Sequence, residues 1–474
     1  MNTSDYFPEI IQGGMGAGVS NWKLAKSVAC HGQLGVVSGT ALDSILARRL
    51  QLGDLDGSMR RAMSQFPWQD IVQKILDDYF IEGGKEPHMP FKNIPWHELE
   101  LSAANVGLLL VSNFVEIFLA KEGHDGPVGI NYLEKIQLPT LPSLLGAMLA
   151  GVTYVLMGGG IPLAIPGTLD SLAKWEPVQL SLHVDNPTDE SSYTMHFDPK
   201  QWCPGPLPEL TRPKFLAVIS SDIVAKTMVR KASGYVDGFV VEDHTAGGHN
   251  APPRRSDVQP APGACPYGAK DVPDIAKIKN LGRPFWLAGS CASPERLKDA
   301  LAQGAAGIQV GTIFAFCEES GITPELKQQA LRKCLEGTPD VCTNMNASPT
   351  GYPFKILQLE GTLGDPAVVA ARKRVCDLGF LRQFYITDEG KLGYRCTAEP
   401  EALFVKKGGK IEKTEGALCL CNGLLGTIGL GQTRKDYVEP AVVTTGEDFA
   451  FVEKLVKSDT LTYTAKDAID YLKS

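Results

Sequence analysis

The chain has 474 residues, of which 43% are hydrophobic and 21% charged, and its formal net charge is −8. This is ordinary globular composition, and a chain of this length buries a core large enough to fold without disulfides or metal. The acidic balance argues against a general nucleic-acid or anionic-membrane surface, yet leaves room for a phosphate held by backbone dipoles.

The first residues, MNTSDYFPEIIQGGMG, carry neither a basic n-region nor an apolar h-region. With no secretion signal read there, the eleven cysteines are expected to be reduced and the protein cytoplasmic. Short apolar runs ending in small residues then recur along the chain. They are 9–15 (EIIQGGM), 34–40 (LGVVSGT), 128–133 (VGINYL), 154–160 (YVLMGGG), 215–221 (FLAVISS), 238–244 (GFVVEDH), 284–290 (PFWLAGS) and 307–312 (GIQVGT). Runs of this kind suit parallel strands buried on both faces. Between them, 21–31, 141–151, 222–233, 271–281 and 294–304 read as helices. The last is well punctuated: Ser293 as N-cap, Pro294 at the first helical position, Glu295 in the first turn and Gly304 at the end. Strand and helix alternating eight times predict an α/β fold, a closed (β/α)8 TIM barrel.

Two insertions are expected in the barrel. Residues 41–100 are polar and helical in pattern, and 178–208 read as a β-hairpin around Asn186-Pro187. The run 101–120 is apolar but carries Asn105, Asn113 and Glu116, which predicts a buried helix of a soluble domain and no membrane span. The barrel is assigned to residues 1–340. Residues 341–474 are assigned to a C-terminal extension that covers or flanks it.

A barrel of this kind carries its site at the C-terminal ends of its strands. Those ends hold Gly13-Gly14, Ser38-Gly39, Asn131, 158–160 (all glycine), Ser220-Ser221, Gly247-Gly248, Gly289 and Gly311. A ring of residues without bulky side chains predicts a planar cofactor lying across the rim. Gly289-Ser290 and Gly311-Thr312 end the seventh and eighth strands, where barrels often build a phosphate site; backbone N–H groups and the helix start near Ser293 would face it. The run from Gly13 to Gly18 also invites comparison with a dinucleotide fingerprint. Its spacing does not fit, and the next strand ends in Ser38-Gly39-Thr40 with no acid for a ribose. The segment 241–254 (VEDHTAGGHNAPPR) is the richest in functional groups. His249 and His244 are the candidate acid–base residues, since imidazole moves protons near neutral pH. Cys376, Cys396, Cys419 and Cys421 follow a C-x19-C-x22-C-x-C pattern, which leaves open whether they bind a metal or are separate thiols.

The run IIQGGMGAGVSNWKLA, the phrase LGVVSGT, AGGH at 246–249, the GIQVGT strand and Glu319-Ser320 resemble the nitronate monooxygenase (2-nitropropane dioxygenase) family over roughly residues 8–355. The resemblance implies non-covalent FMN at the barrel mouth. It implies flavin contacts from Gly13, Gly14, Met15 and Asn131 beside the motif glycines Gly247 and Gly248. Gly289, Ser290, Gly311 and Thr312 would hold the phosphate. His249 would be the base that takes a proton from a nitroalkane, with O2 as co-substrate and a carbonyl compound and nitrite as products. The AGGH loop continues as NAPPR, and the insertions and extension exceed a minimal member, so the chain resembles a longer subgroup. FMN-dependent enoyl-ACP reductases share the barrel and the motif, which makes NAD(P)H-dependent enoyl-thioester reduction the alternative activity. A small-molecule substrate is expected, no nucleic acid and no membrane, with a homodimer left open.

Overall fold

The computed structural model describes residues 7–185, 193–254, 267–456 and 460–474. Its centre is one eight-stranded parallel sheet. The strands are β1 (Ile10–Gln12), β2 (Gly35–Ser38), β3 (Val128–Leu133), β4 (Tyr154–Gly158), β5 (Lys214–Ile219), β6 (Gly238–Glu242), β7 (Phe285–Ala288) and β8 (Gly307–Val310). From β2 onward each pairs in parallel with the next in the chain, and β8 pairs with β1, Ile10 opposite Ile308. The ring closes between β1 and β2 through a parallel bridge from Ile11 to Leu34, with Gln12 N donating to Leu34 O at 3.0 Å. The protein is therefore a TIM barrel, and all eight apolar runs form its strands.

Burial on both faces explains why these strands read as continuous apolar runs. Ile11, Val36, Tyr154, Leu156, Leu216, Val240 and Trp286 form one buried cluster inside the barrel. Their neighbours along each strand, such as Ile10, Val37, Val155, Phe215, Phe239 and Phe285, belong to a second cluster shared with the helices. Such two-sided burial is the normal state of parallel strands. Inside, Trp286 Nε1 donates to Pro8 O at 2.8 Å and the indole meets Phe7 edge-on.

Eight helices accompany the strands: α1 (Trp22–Cys30), α2 (Ala103–Lys121), α3 (Thr140–Leu149), α4 (Ile165–Leu172), α5 (Asp222–Lys231), α6 (Ile275–Lys279), α7 (Pro294–Gln303) and α8 (Ala465–Leu472). Ser293 caps α7 by accepting from Arg296 N, and Gly304 ends it at φ 91°. Helix α2 is long and apolar enough to cross a membrane, but 83% of its most apolar window is buried inside the protein. Its buried Glu116 accepts from Trp22 N at 3.0 Å and pairs with Arg49. The insertion after β2 holds helices Leu42–Gln51, Ser58–Met63 and Gln69–Tyr79. In the second insertion Val178–Ser181 pairs antiparallel with Thr194–Phe197, so a hairpin is present, while the turn expected at Asn186-Pro187 lies outside the described residues.

The chain after residue 340 has two parts. A hairpin (Val341–Asn344 with Phe354–Leu357) and the helix Leu420–Thr427 reach the barrel mouth through Phe354 and Leu424, and a second pair (Gln383–Ile386 with Leu392–Arg395) lies between them in the chain. Val184–Asp185 of the second insertion adds a parallel strand to that second pair, tying the two excursions together. The chain then returns to the barrel. Helix α8 packs against α1 and α7, the place of the eighth helix of the ring. It starts on a capping box between Thr464 and Asp467 and buries Ala465, Ala468, Ile469 and Leu472.

Candidate active site at the barrel mouth

The strand ends and the overlying segment enclose one large cavity. Of the twelve residues singled out from the sequence, eleven line it: Gly13, Gly14, Met15, Asn131, Gly247, Gly248, His249, Gly289, Ser290, Gly311 and Thr312. His244 does not. It faces a separate, smaller cavity with Asp243, Asn250, Arg254, Tyr267 and Asp271, and its ring stacks on Tyr267 with centroids 4.8 Å apart. The cause is local. Beyond β6 the chain turns at Asp243, whose carboxylate accepts from Thr245 N and Oγ1, and this turn directs His244 away from the mouth and the later His249 toward it.

Close backbone approach accounts for two of the glycines. A Cβ on Gly14 would lie 2.3 Å from Asn131 Cβ and 3.1 Å from Val36 Cγ1, so only glycine lets β1 run this near β3. Gly289 has φ 96°, and a Cβ there would meet Asp243 Cβ at 2.8 Å and Thr245 Oγ1 at 2.9 Å. Ser290 follows at φ 47°, a conformation rare for residues other than glycine, and leads through Cys291 and Ala292 into the capped start of α7. Thr312 Oγ1 accepts from Gly446 N at 2.9 Å and keeps its own proton for another acceptor.

His249 is held from three sides. Its Nε2 is 2.6 Å from Ser348 Oγ, which in turn is 2.8 Å from Thr350 Oγ1. Phe354 meets the imidazole edge-on at 4.9 Å. The loop backbone is pinned as well: Lys355 N donates to Gly248 O at 3.0 Å, Asn250 N to Pro353 O at 2.9 Å, and Gly248 N to Thr444 Oγ1 at 2.8 Å. Burial pushes the imidazole pKa down to about 4, so the ring is neutral at pH 7.

Glu242, the last residue of β6, lines the same cavity. Burial, reinforced by the neighbouring Asp243 charge, pushes its carboxyl up to about 8, which makes it a neutral acid at pH 7. The sequence marks it only as one of two carboxylates at a strand end, and its titration comes from burial that the tertiary fold creates. Gln309 of β8 was equally invisible as a site residue. Residues of the overlying segment complete the wall: Phe354, Phe380, Leu381 and Leu424 on an apolar side, Thr444, Thr445 and Asp448 on a polar one. No local pattern marks these, because they reach the mouth only through long-range packing.

The cavity suits a flat ligand with a polar edge. Gln309 Oε1 and Thr445 Oγ1 are buried without a hydrogen-bond partner among the described residues, and both belong to its wall. Leaving such atoms unpaired costs about 1–3 kcal/mol each, so a ligand that pairs them is favoured. Among the described lining residues there is no lysine or arginine. A phosphate at the 289–293 turn would therefore rest on backbone N–H groups and hydroxyls.

No family model matches the chain. Two curated proteins are similar over 145 residues: the (3aS,4S,5R,7aS)-5-hydroxy-7a-methyl-1-oxo-octahydro-1H-indene-4-carboxyl-CoA dehydrogenases of Rhodococcus jostii (28% identical, 31% of this chain and 35% of the relative) and of Mycobacterium tuberculosis (27%, 30% and 36%). The match thus spans about a third of those relatives' length. Similar solved structures include FabK from Thermotoga maritima (TM-score 0.45, 14% identity, 98% of this chain and 91% of that one). Nitroalkane oxidase from Streptomyces ansochromogenes is another (TM-score 0.39, 16% identity, 74% and 76%). A third is the enoyl reductase domain of MlnA from the macrolactin biosynthesis cluster of Bacillus amyloliquefaciens (TM-score 0.39, 13% identity, 75% and 64%).

Proposed function

We propose that this chain is an FMN-dependent oxidoreductase that oxidises nitroalkanes or their nitronates with O2 to carbonyl compounds and nitrite. The observation that carries the reading is a neutral imidazole, His249, fixed by Ser348 on the wall of a glycine-lined cavity at the barrel mouth. A flavin bound there supplies the electron transfer. The chain's own residues do the rest. If Nε2–H donates to Ser348 Oγ, Nδ1 carries the lone pair and is the atom that accepts the α-proton. The imidazolium so formed is disfavoured by burial, and the nitronate charge created beside it is its compensating partner. Phe354, Phe380, Leu381 and Leu424 keep water from this charge pair. The turn at 289–293, the start of α7 and Thr312 are the groups suited to a phosphate.

A second reading, NAD(P)H-dependent reduction of an enoyl thioester, is favoured by Glu242. A carboxyl that is neutral at pH 7 and faces the cavity is suited to deliver a proton to carbon. The two curated relatives, named for a CoA thioester, support the same direction. Anaerobic addition of NADPH, then of ethylnitronate, to the FMN-loaded protein separates the two. Bleaching by nitronate alone supports the oxidase; bleaching by NADPH followed by reoxidation with an enoyl thioester supports the reductase and overturns the first reading.

A further inference from the structure

Four cysteines that the proposed activity does not use meet in space. Cys376, Cys396, Cys419 and Cys421 lie on three separate stretches of the segment above the barrel, and all four line one small internal cavity. Cys396 directly follows the strand Leu392–Arg395, and Cys419 is the N-cap of the helix Leu420–Thr427, with Cys421 in its first turn. Cys396 and Cys419 are buried and pack with Cys376 and Cys421 as one cluster. The remaining described cysteines are elsewhere: Cys203 and Cys317, also buried, share neither the cavity nor the cluster.

Hydrogen-bond donors and cations stand around the sulfurs, together with the carboxylates of Glu399 and Asp377. Asn422 Nδ2 donates to Cys419 Sγ at 3.4 Å, and the Asn422 backbone N–H faces the same sulfur. The backbone N–H groups of Phe380 and Leu381 face Cys421. Arg382 acts electrostatically on Cys376 and Cys396, and Arg372 on Cys419. The helix start adds its partial positive charge. Neutral thiols in an apolar core need none of these donors and cations; metal thiolates are commonly supported by them.

We propose that Cys376, Cys396, Cys419 and Cys421 form a tetrathiolate metal site, holding either a zinc ion or an iron–sulfur cluster. Among the described residues no three His, Cys, Asp or Glu side chains already converge on one ion position. The four thiols instead stand around a gap, which zinc would close by side-chain rotation and a cluster would span. Cys421 and Leu381 line both this gap and the large cavity at the barrel mouth. A zinc ion would clamp the overlying segment in place beside the active site; an iron–sulfur cluster would place a one-electron centre against its wall.

The test is metal analysis of the full-length protein, purified without oxygen from cells grown with iron and zinc, together with acid-labile sulfide. The expected result is about one zinc, or about two to four iron with matching sulfide, per chain. Cys396→Ser and Cys421→Ser are expected to lower metal content about tenfold or more, while Cys334→Ser, outside the cluster, retains it. Absence of stoichiometric metal from the wild-type protein, as isolated and after reconstitution with zinc or with iron and sulfide, overturns the proposal even if the variants fail to fold. So does metal content unchanged in the folded cluster variants, or a Cys376–Cys396 disulfide in the anaerobic protein. Metal content is read without the flavin, so a zinc protein that stays colourless after incubation with FMN would defeat the flavin reading and leave this one standing.

Discussion

Replacing Glu242 by glutamine isolates the energetic consequence of burying an acid at the barrel mouth. The carboxyl is raised from its ordinary 4.5 to about 8 in the folded protein, chiefly by burial. A raised pKa means that the folded state holds its proton more tightly than the unfolded chain, so stability falls as pH rises from the ordinary value to the folded one. Between pH 5.5 and pH 8 the wild-type protein passes through most of that window. At about 1.36 kcal/mol per pH unit, the Glu242 contribution is a loss of about 3 kcal/mol, an upper bound because water in the open cavity screens the charge. Glu242→Gln keeps the shape and removes the titration. Urea unfolding of ligand-free wild type and variant across this range is the assay. The wild-type curve should fall more steeply, and the gap between the two should change by about 2–3 kcal/mol in favour of the variant at the alkaline end. Parallel curves would refute the reasoning, whatever their absolute height.

Four further substitutions probe other parts of the account. His249→Ala should lower turnover of a neutral nitroalkane by about 10²–10⁴-fold while sparing the preformed nitronate, and His244→Ala, outside the cavity, should change neither by more than about twofold. With the imidazole pKa pushed down to about 4, the unprotonated base persists to low pH, so wild-type kcat/KM on a neutral nitroalkane should fall off near pH 4 and not near 6.5. Gly14→Ala forces a Cβ to within 2.3 Å of Asn131 Cβ; it should cost about 1–3 kcal/mol in thermal unfolding and weaken FMN in a titration followed by fluorescence. Glu439 is fully buried and pairs with Arg372 Nε and Arg434 Nη2, each at 2.7 Å. Glu439→Gln leaves Arg372 without its carboxylate, while Arg434 keeps Asp377 at 2.8 Å; it should destabilise by about 3 kcal/mol, read as the urea midpoint.

The barrel was legible because its strands are apolar on both faces. Val36-Val37 and Phe239–Val241 show no alternation, and that is what a closed parallel sheet demands. The glycine-rich strand ends pointed to the mouth, and the structure gathers them there. Other features were not legible. The direction of each histidine depends on the turn at Asp243, which a list of residues around the motif does not reveal. The roof of the cavity comes from more than a hundred residues downstream. Phe354 bridges to His249, and Thr444 holds Gly248, through contacts that no local period encodes. The closing helix α8 had a local sign, the capping box at Thr464 and Asp467, but its place beside α1 follows only from the folded chain. The spacing of the four cysteines gave no ordinary zinc pattern, since three separate stretches must meet before they share a cavity.

The central claim is that the cavity at the barrel mouth holds FMN. An absorbance spectrum of the purified protein, before and after incubation with FMN and gel filtration, tests it most directly. The account predicts flavin bands that co-elute with the protein at about one FMN per chain and that weaken in Gly14→Ala. A folded protein with no flavin bands, even after incubation with FMN, would contradict it.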